Sequence, residues 1–251
     1  KVGIDAMAIS DPIRRETSKN HTATHLLHAA LRNILGNHVA QSGSLVEPDR
    51  LRFDFSHPKA LGEKEIENIE SLVNSWIQDN LEIKSSLVPI NEARESGAMM
   101  LFGEKYGETV RLIEVQPPTD QSAISRELCA GTHVKLTGSI GPFIITEEEA
   151  VSAGVRRITA VTGMNAVIDI SKLKGYVTRL QDHLGAHESE IESRVASLSS
   201  DLKNSQREVR ELREKLAAAQ TRGLSGLKTK EVSGLKYVSA ILKDLDAGAL
   251  R

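Results

Sequence analysis

A heptad pattern of apolar residues in the last third of the chain constrains its fold more than any other sequence feature. Residues 165–222 contain no proline, and only Ser205 interrupts a seven-residue register formed by Val177, Leu184, Ile191, Leu198 and Leu212. A companion series lies three or four positions away, so a helix formed here would present a narrow apolar stripe. The stretch 165–222 is therefore predicted to be helical.

Gly185 is the point at which this helical pattern weakens. Before it the companion residues are Leu173 and Leu180, and after it they shift phase to a series that starts at Val195. We therefore expect two antiparallel helices with a bend between about residues 183 and 188, each burying its stripe against the other. One long helix that pairs with a second chain is the alternative.

The residues before the heptads mix helical and strand-like patterns. HTATHLLHAALRNIL is typical of a helix that Ser18 or Asn20 caps and Gly36 ends, while VAQSGSLV and LRFDFS predict a β-hairpin. We predict an α+β fold in four parts. These are the end of a truncated strand subdomain at 1–20, a main domain at 21–164, the helical hairpin at 165–222 and the start of a truncated further domain at 223–251.

Composition excludes several classes of protein. Aromatic residues make up 3% of the chain, so base stacking on aromatic rings is not expected to dominate any binding surface. The net charge of -2 does not indicate a strong non-specific nucleic-acid binder. A single cysteine and the lack of a membrane-length apolar run predict a cytoplasmic protein without membrane association. The chain starts without methionine and is expected to be a piece of a longer protein.

Two short histidine and cysteine motifs carry the chemistry. His21 and His25 are four residues apart on the predicted helix, so both imidazoles share one face. Cys129 and His133 have the same spacing around Gly131, which favours a turn. A histidine pair alone is often a surface pair, and a lone cysteine is usually a small buried hydrophobe. Together the two motifs predict a zinc site with one thiolate and three imidazoles.

Two neighbouring residues limit what this site could be. A zinc protease needs a glutamate directly after the first histidine as its general base, and the chain has Thr22 there. His28 shares the helix face of the histidine pair. With four other ligands it has no coordination position, so we expect it to pack beside the site or support it.

The motifs NHTATHLLHAAL, VAQSGSLV, LRFDFSH, GAMMLFGEKYG, ELCAGTH and AGVRRITAVTG follow one another along the chain. In this order they resemble the editing domain of alanyl-tRNA synthetase over roughly residues 1–165. The heptad region and tail resemble the helical linker and the beginning of the C-terminal domain of the same enzyme. Ala130 departs mildly from the usual motif, which has two glycines, and a methyl group there is expected to be tolerated.

The resemblance implies a fold, a site and an activity. The fold would be a two-layer arrangement of sheet and helices, with zinc on His21, His25, Cys129 and His133 and with Gln41 lining the editing pocket. The activity would be hydrolysis of seryl- and glycyl-tRNA(Ala). ATP and Mg²⁺ would belong to the family's aminoacylation domain, which we expect to lie outside this chain. A homodimer would form through the C-terminal region that is also missing.

The reaction itself sets requirements for the pocket. A site that activates alanine cannot strongly reject glycine or serine, so a second, hydrolytic site is the physical remedy. That site must accept a serine hydroxyl, which suits Gln41, Thr22 or Thr24 in its wall. Four protein ligands leave zinc no open water position, so we expect zinc to organise the site rather than to supply hydroxide. No general base stands out, and His28 and Glu104 are the candidates.

Arg156 and Arg157 are the candidate tRNA-binding residues. Neighbours on a strand point to opposite faces, so one guanidinium can pair within the domain while the other reaches a phosphate. Ordinary surface charge is the alternative explanation for both.

Three other functions remain open from the sequence. One is a threonyl-type or free-standing editing protein, which would have similar motifs. The second is a zinc-stabilised RNA-binding module without catalysis. The third is a coiled-coil dimerisation fragment, which the heptads alone would allow.

Overall fold

A computed structural model describes residues 11–100, 106–117, 122–223 and 230–237. The chain divides into two compact units, Lys1–Leu173 and Lys174–Arg251. The fold is α+β with antiparallel sheets, as the sequence predicts. None of the helices in the described ranges is long and apolar enough to span a membrane. The predicted strand at residues 1–9 and the candidate base Glu104 lie outside the described residues.

A four-stranded antiparallel sheet forms the centre of the first unit. Its strands are β1 (Gln41–Val46), β2 (Leu51–Ser56), β6 (Phe143–Ser152) and β7 (Val155–Thr162), in the order β1-β2-β7-β6. The predicted hairpin of β1 and β2 is confirmed. On β2 the alternating residues Leu51, Phe53 and Phe55 are fully buried, because one face of the sheet covers the core.

Two long helices contact this sheet and one another, α1 (Pro12–Leu35) and α2 (Glu63–Gln78). Helix α1 ends at Gly36 as predicted, but it begins earlier than Ser18 or Asn20. Asp11 is the cap, because its carboxylate accepts the backbone N–H of Ile13 and Pro12 opens the helix. Asn20 instead lies buried within the helix and accepts a hydrogen bond from Thr162.

A second, three-stranded sheet positions the cysteine motif. It contains β3 (Glu82–Pro89), β4 (Thr109–Gln116) and β5 (Ser125–Leu128), with the short helix α3 (Ile90–Glu95) after β3. Strand β5 contacts α1, and Cys129 follows β5 directly. The end of this sheet therefore delivers the cysteine to the helix face that carries the histidine pair.

The heptad region forms two helices, α4 (Gly163–Leu184) and α5 (Ile191–Gly223). The predicted break is confirmed, since Gly185 has a φ of 57°, a left-handed conformation that glycine adopts without strain. The expected mutual burial of the two stripes is not found in the single chain, because Leu180 is 47% exposed and Leu198 is 45% exposed. Beyond α5, the described residues form a small hairpin of β8 (Lys230–Val232) and β9 (Leu235–Tyr237).

Candidate metal centre and adjoining pocket

The structure brings the four predicted zinc ligands together. His21 and His25 lie one turn apart on α1, and Cys129 and His133 flank the turn that follows β5. One ligand atom from each residue lies within 4.8 Å of the other three. The Cys129 Sγ is 3.3 Å from His21 Nε2 and 3.4 Å from His133 Nε2. Residues 108 positions apart in the chain thus form one cluster.

The turn between Cys129 and His133 lies very close to α1. A Cβ atom on Gly131 would come within 1.9 Å of Cε1 of His21, so only glycine fits there. Ala130 is exposed, and its extra methyl group is accommodated as expected. Arg111 on β4 holds the turn by donating to the carbonyl oxygens of Cys129 and Gly131.

Glu127, whose side chain is only 12% exposed, is a carboxylate at the site that the sequence analysis missed. Its Oε1 accepts from Ser125 Oγ at 3.1 Å and lies 3.2 Å from His28 Nδ1. Its Oε2 lies 3.7 Å from Nδ1 of His25. The signal in the sequence was proximity, because Glu127 opens the ELCAGTH motif two residues before Cys129.

Burial keeps the cluster imidazoles uncharged. It lowers the pKa of His21 to about 4 and that of His133 to about 2, and the charges of neighbouring histidines act in the same direction. The pKa of His25 is lowered by burial too, although the Glu127 carboxylate opposes this. For Glu127, burial raises the pKa, but the nearby His25 and His28 outweigh that and hold it below its ordinary value. Neutral imidazole is the form that binds a metal.

These residues fit zinc. One cysteine and three neutral histidines form a four-ligand set of the nitrogen and sulfur type that zinc prefers. The proximity of Glu127 Oε2 to His25 Nδ1 also matches the carboxylate–histidine pairs that commonly support metal-binding imidazoles. His28 lies outside the ligand set, with its ring 5.1 Å from that of the buried Phe53.

A pocket of about 390 Å³ borders the cluster. Three of the four ligands line it, together with the polar residues Thr24, Gln41 and Ser44 and the buried pair of His28 and Glu127. Gln41 is the first residue of β1, where the pairing with β2 is irregular. Such a bulge re-aims a strand side chain, which is consistent with a sheet residue lining the pocket beside the cluster.

Thr22 does not line this pocket, contrary to expectation. It follows the ligand His21 by one residue, about 100° further around the helix, and so faces away from the pocket. Its Oγ1 lies 3.2 Å from Nδ1 of His133 and accepts the backbone N–H of Val134. The Thr22 hydroxyl therefore contacts the ligand residue His133 and does not form part of the pocket wall.

Arg156 and Arg157 both form ion pairs within the sheet. Arg156 binds Glu148 through two nitrogens at 2.5 and 2.6 Å, and Arg157 binds Asp54 through two nitrogens at 2.7 and 2.8 Å. The expectation that one guanidinium would be left for phosphate is not met, because both strand neighbours of β7 supply carboxylates. Their role in tRNA binding stays a prediction.

Comparisons with known proteins agree with this geometry. Residues 110–159 match the family described as the threonyl and alanyl tRNA synthetase second additional domain. Over its whole length the chain is 49% identical to an alanine–tRNA ligase of Thermus thermophilus and 42% identical to one of Bordetella pertussis. An alanine–tRNA ligase of Shewanella loihica is 42% identical over 97% of the chain. The chain spans 27–28% of the length of these relatives. It therefore belongs to the alanine–tRNA ligases and contains the second additional domain that they share with the threonyl enzymes.

Proposed function

We propose that this chain hydrolyses the ester bond of tRNA(Ala) that carries serine or glycine. The observation that supports this is one pocket in which a zinc-type ligand cluster meets Gln41 and Thr24. Its volume falls within the range typical of small-molecule sites, roughly 300–1,000 Å³. A second site of this kind is what an alanine enzyme needs, because its synthetic site cannot exclude either amino acid by binding alone.

Gln41 is proposed to bind the reacting end of the substrate. Its amide can accept from a serine hydroxyl and donate to the oxyanion that develops when water attacks the ester. Thr24 lies on the same wall but its hydroxyl donates to the backbone oxygen of Asn20, which leaves its oxygen lone pairs for the substrate.

The ligand cluster is proposed to hold zinc on His21, His25, Cys129 and His133. Bound there, zinc would supply a fixed positive charge that orients the aminoacyl group. Glu127 is proposed to orient His25 through its negative charge, since its Oε2 lies 3.7 Å from Nδ1 of His25. Arg111 donates to the carbonyl oxygen of Cys129 and so helps to fix the turn. The role of Glu127 is thus to position a ligand.

The remaining expectations extend to the longer relatives. Alanine attachment to tRNA(Ala) with ATP and Mg²⁺, and a homodimer through a C-terminal region, are proposed for the full-length enzyme. Cytoplasmic location stays a prediction. Arg156 and Arg157 are proposed to lie close to bound tRNA on the surface of β7 while they remain paired with their carboxylate partners.

A direct test measures deacylation of Ser-tRNA(Ala), Gly-tRNA(Ala) and Ala-tRNA(Ala) by the 251-residue chain. We expect hydrolysis of the first two and much slower hydrolysis of the third. A chain that binds zinc and tRNA but hydrolyses none of the three would instead be a non-catalytic RNA-binding module. Equal rates for all three would contradict an editing function.

A further inference from the structure

A second cleft, of about 720 Å³, lies beside the metal-binding turn. It shares no lining residue with the pocket that contains Gln41, but residues 130–133 of the ligand turn form part of its wall. Five basic residues line it: Arg14, Arg15, Lys19, Arg111 and Lys135. No aspartate or glutamate is among the described residues that line it, so the cleft is strongly positive.

The charges in this cleft are only partly neutralised. Glu16 lies 3.1 Å from Arg15 Nε and 3.0 Å from Lys19 Nζ, so one carboxylate serves two cations. Arg14 and Lys135 are exposed and form no ion pair with any residue in the described ranges. The Arg111 guanidinium donates hydrogen bonds to carbonyl oxygens of the turn, which are neutral and leave its charge uncompensated. The cleft therefore retains an excess of positive charge in a chain whose net charge is -2.

This arrangement contrasts with that of the two arginines on β7. Arg156 and Arg157 each have two close contacts with a carboxylate, so any phosphate would have to displace that partner. Arg14 and Lys135 have no such partner among the described residues. These cations lack ion-pair partners among the described residues and lie beside the proposed reaction centre, so they point to the cleft as the anion-binding surface.

We propose that this cleft binds the ribose–phosphate backbone of a single-stranded RNA 3′ end, whose terminal ester reaches the pocket with Gln41. The inference rests on the proposed function, because it concerns the route by which an aminoacylated RNA enters that site. Both cavities border the ligand turn, so a strand a few nucleotides long can lie in the cleft while its end reaches the cluster.

The lining also determines what kind of recognition is possible. None of the described lining residues is Phe, Tyr or Trp, so the cleft has no ring on which bases can stack. Cations spread along its walls match successive phosphates, which carry charge but no sequence information. The cleft is therefore expected to bind the strand independently of its base sequence and with a strong salt dependence.

The test compares two double variants of the 251-residue chain. Arg14→Gln with Lys135→Gln removes the unpaired cleft cations, and Lys59→Gln with Arg94→Gln makes the same charge change at exposed positions that line neither cavity. Fluorescence anisotropy then measures binding of an RNA hairpin with a four-nucleotide single-stranded 3′ end at several salt concentrations. Equal zinc content and melting temperature of the two variants show that both are folded.

The cleft variant is expected to bind the hairpin about 10-fold more weakly than the control at about 0.1 M salt. The plot of log association constant against log salt concentration has a negative slope, and this slope should become less steep by about 1.4. Each lost phosphate contact on a single strand contributes about 0.7. A purely structural effect would not change that slope. Equal affinities and equal slopes for the two variants would overturn the proposal.

An activity measurement separates this proposal from the proposed function. The cleft variant should hydrolyse Ser-tRNA(Ala) with a raised KM, but should hydrolyse seryl-adenosine, which lacks the phosphates, as fast as the control does. If the unaltered chain hydrolyses neither ester, the proposed function fails while the hairpin measurement still decides the role of the cleft. If both esters are affected equally, the cleft does not bind the backbone.

Discussion

Gly131 lies against the ring of His21, so closely that a Cβ atom at position 131 would come within 1.9 Å of Cε1. Because a methyl group cannot occupy that space, Gly131→Ala must displace either the ring or the turn. Both carry ligands of the cluster, and we expect zinc affinity to fall by more than about 100-fold. Titration of the metal-free protein with zinc against a competing chelator measures this.

Ala130→Gly is the matched control, because Ala130 is the exposed neighbour in the same turn. It should leave zinc affinity within about twofold of the original value, the range of ordinary surface changes. Full zinc affinity in Gly131→Ala would show that His21 is not a ligand.

Glu127→Gln tests the carboxylate behind the cluster. Glutamine keeps the shape but removes the charge that faces His25 and His28, so zinc affinity should fall by about 10- to 100-fold. The visible absorption of the cobalt-substituted protein should also change, because the orientation of His25 is altered. Glu114→Gln is the control, since Glu114 pairs with Arg126 on the same sheet and touches no ligand. An unchanged cobalt spectrum in Glu127→Gln would contradict a positioning role.

Gln41→Ala tests the proposed oxyanion donor. Hydrolysis of Ser-tRNA(Ala) should slow by about 10- to 1000-fold, the range for losing one preorganised donor. Zinc content and melting temperature should stay the same, because Gln41 lines the pocket but is not a ligand. If melting temperature falls together with the rate, Gln41 supports the fold and the proposed role is wrong.

The lowered pKa values of the cluster predict how the zinc-free protein responds to acid. His21 and His133 have an ordinary pKa of 6.5, which burial lowers to about 4 and about 2 in the folded chain. The unfolded chain therefore binds more protons below pH 6.5, and the free energy of unfolding falls as pH falls. Between pH 7.5 and 5.5 each imidazole contributes at most about 1.4 kcal/mol to this loss.

Urea unfolding of the zinc-free protein at the two pH values measures that loss. His133→Asn should lose less stability over the same pH interval, because one of the three cluster imidazoles with a lowered pKa is gone. The pH-dependent loss of the unaltered protein and of His133→Asn should differ measurably. An identical loss in both would show that His133 does not titrate as its burial requires.

The sequence predicted the ligand cluster because each half-motif is local. Four-residue spacing on a helix places His21 and His25 on one face, and Gly131 indicates the turn that brings Cys129 and His133 together. The contact between α1 and β5 could not be predicted from local sequence, because it depends on how the second sheet packs. The zinc chemistry of the four residues and the family resemblance were the links between the two halves.

Residues whose role depends on their surroundings were predicted less well. Glu127 was missed because a carboxylate on a short strand is usually exposed, whereas here its side chain is only 12% exposed and pairs with His28 of α1. Thr22 was expected on the pocket wall, but the helix turns it towards His133. The heptads predicted the two helices and their break at Gly185. They could not determine whether the two stripes bury one another, since burial depends on partners beyond the local pattern.

The dependence of editing on zinc is measured by titrating the metal-free 251-residue chain with zinc and following Ser-tRNA(Ala) hydrolysis at each step. We expect hydrolysis to rise with bound zinc and to reach its maximum at about one zinc per chain. Cys129→Ala should neither bind zinc with this affinity nor regain activity. A zinc-free chain that hydrolyses Ser-tRNA(Ala) at the full rate would show that editing does not depend on the metal cluster.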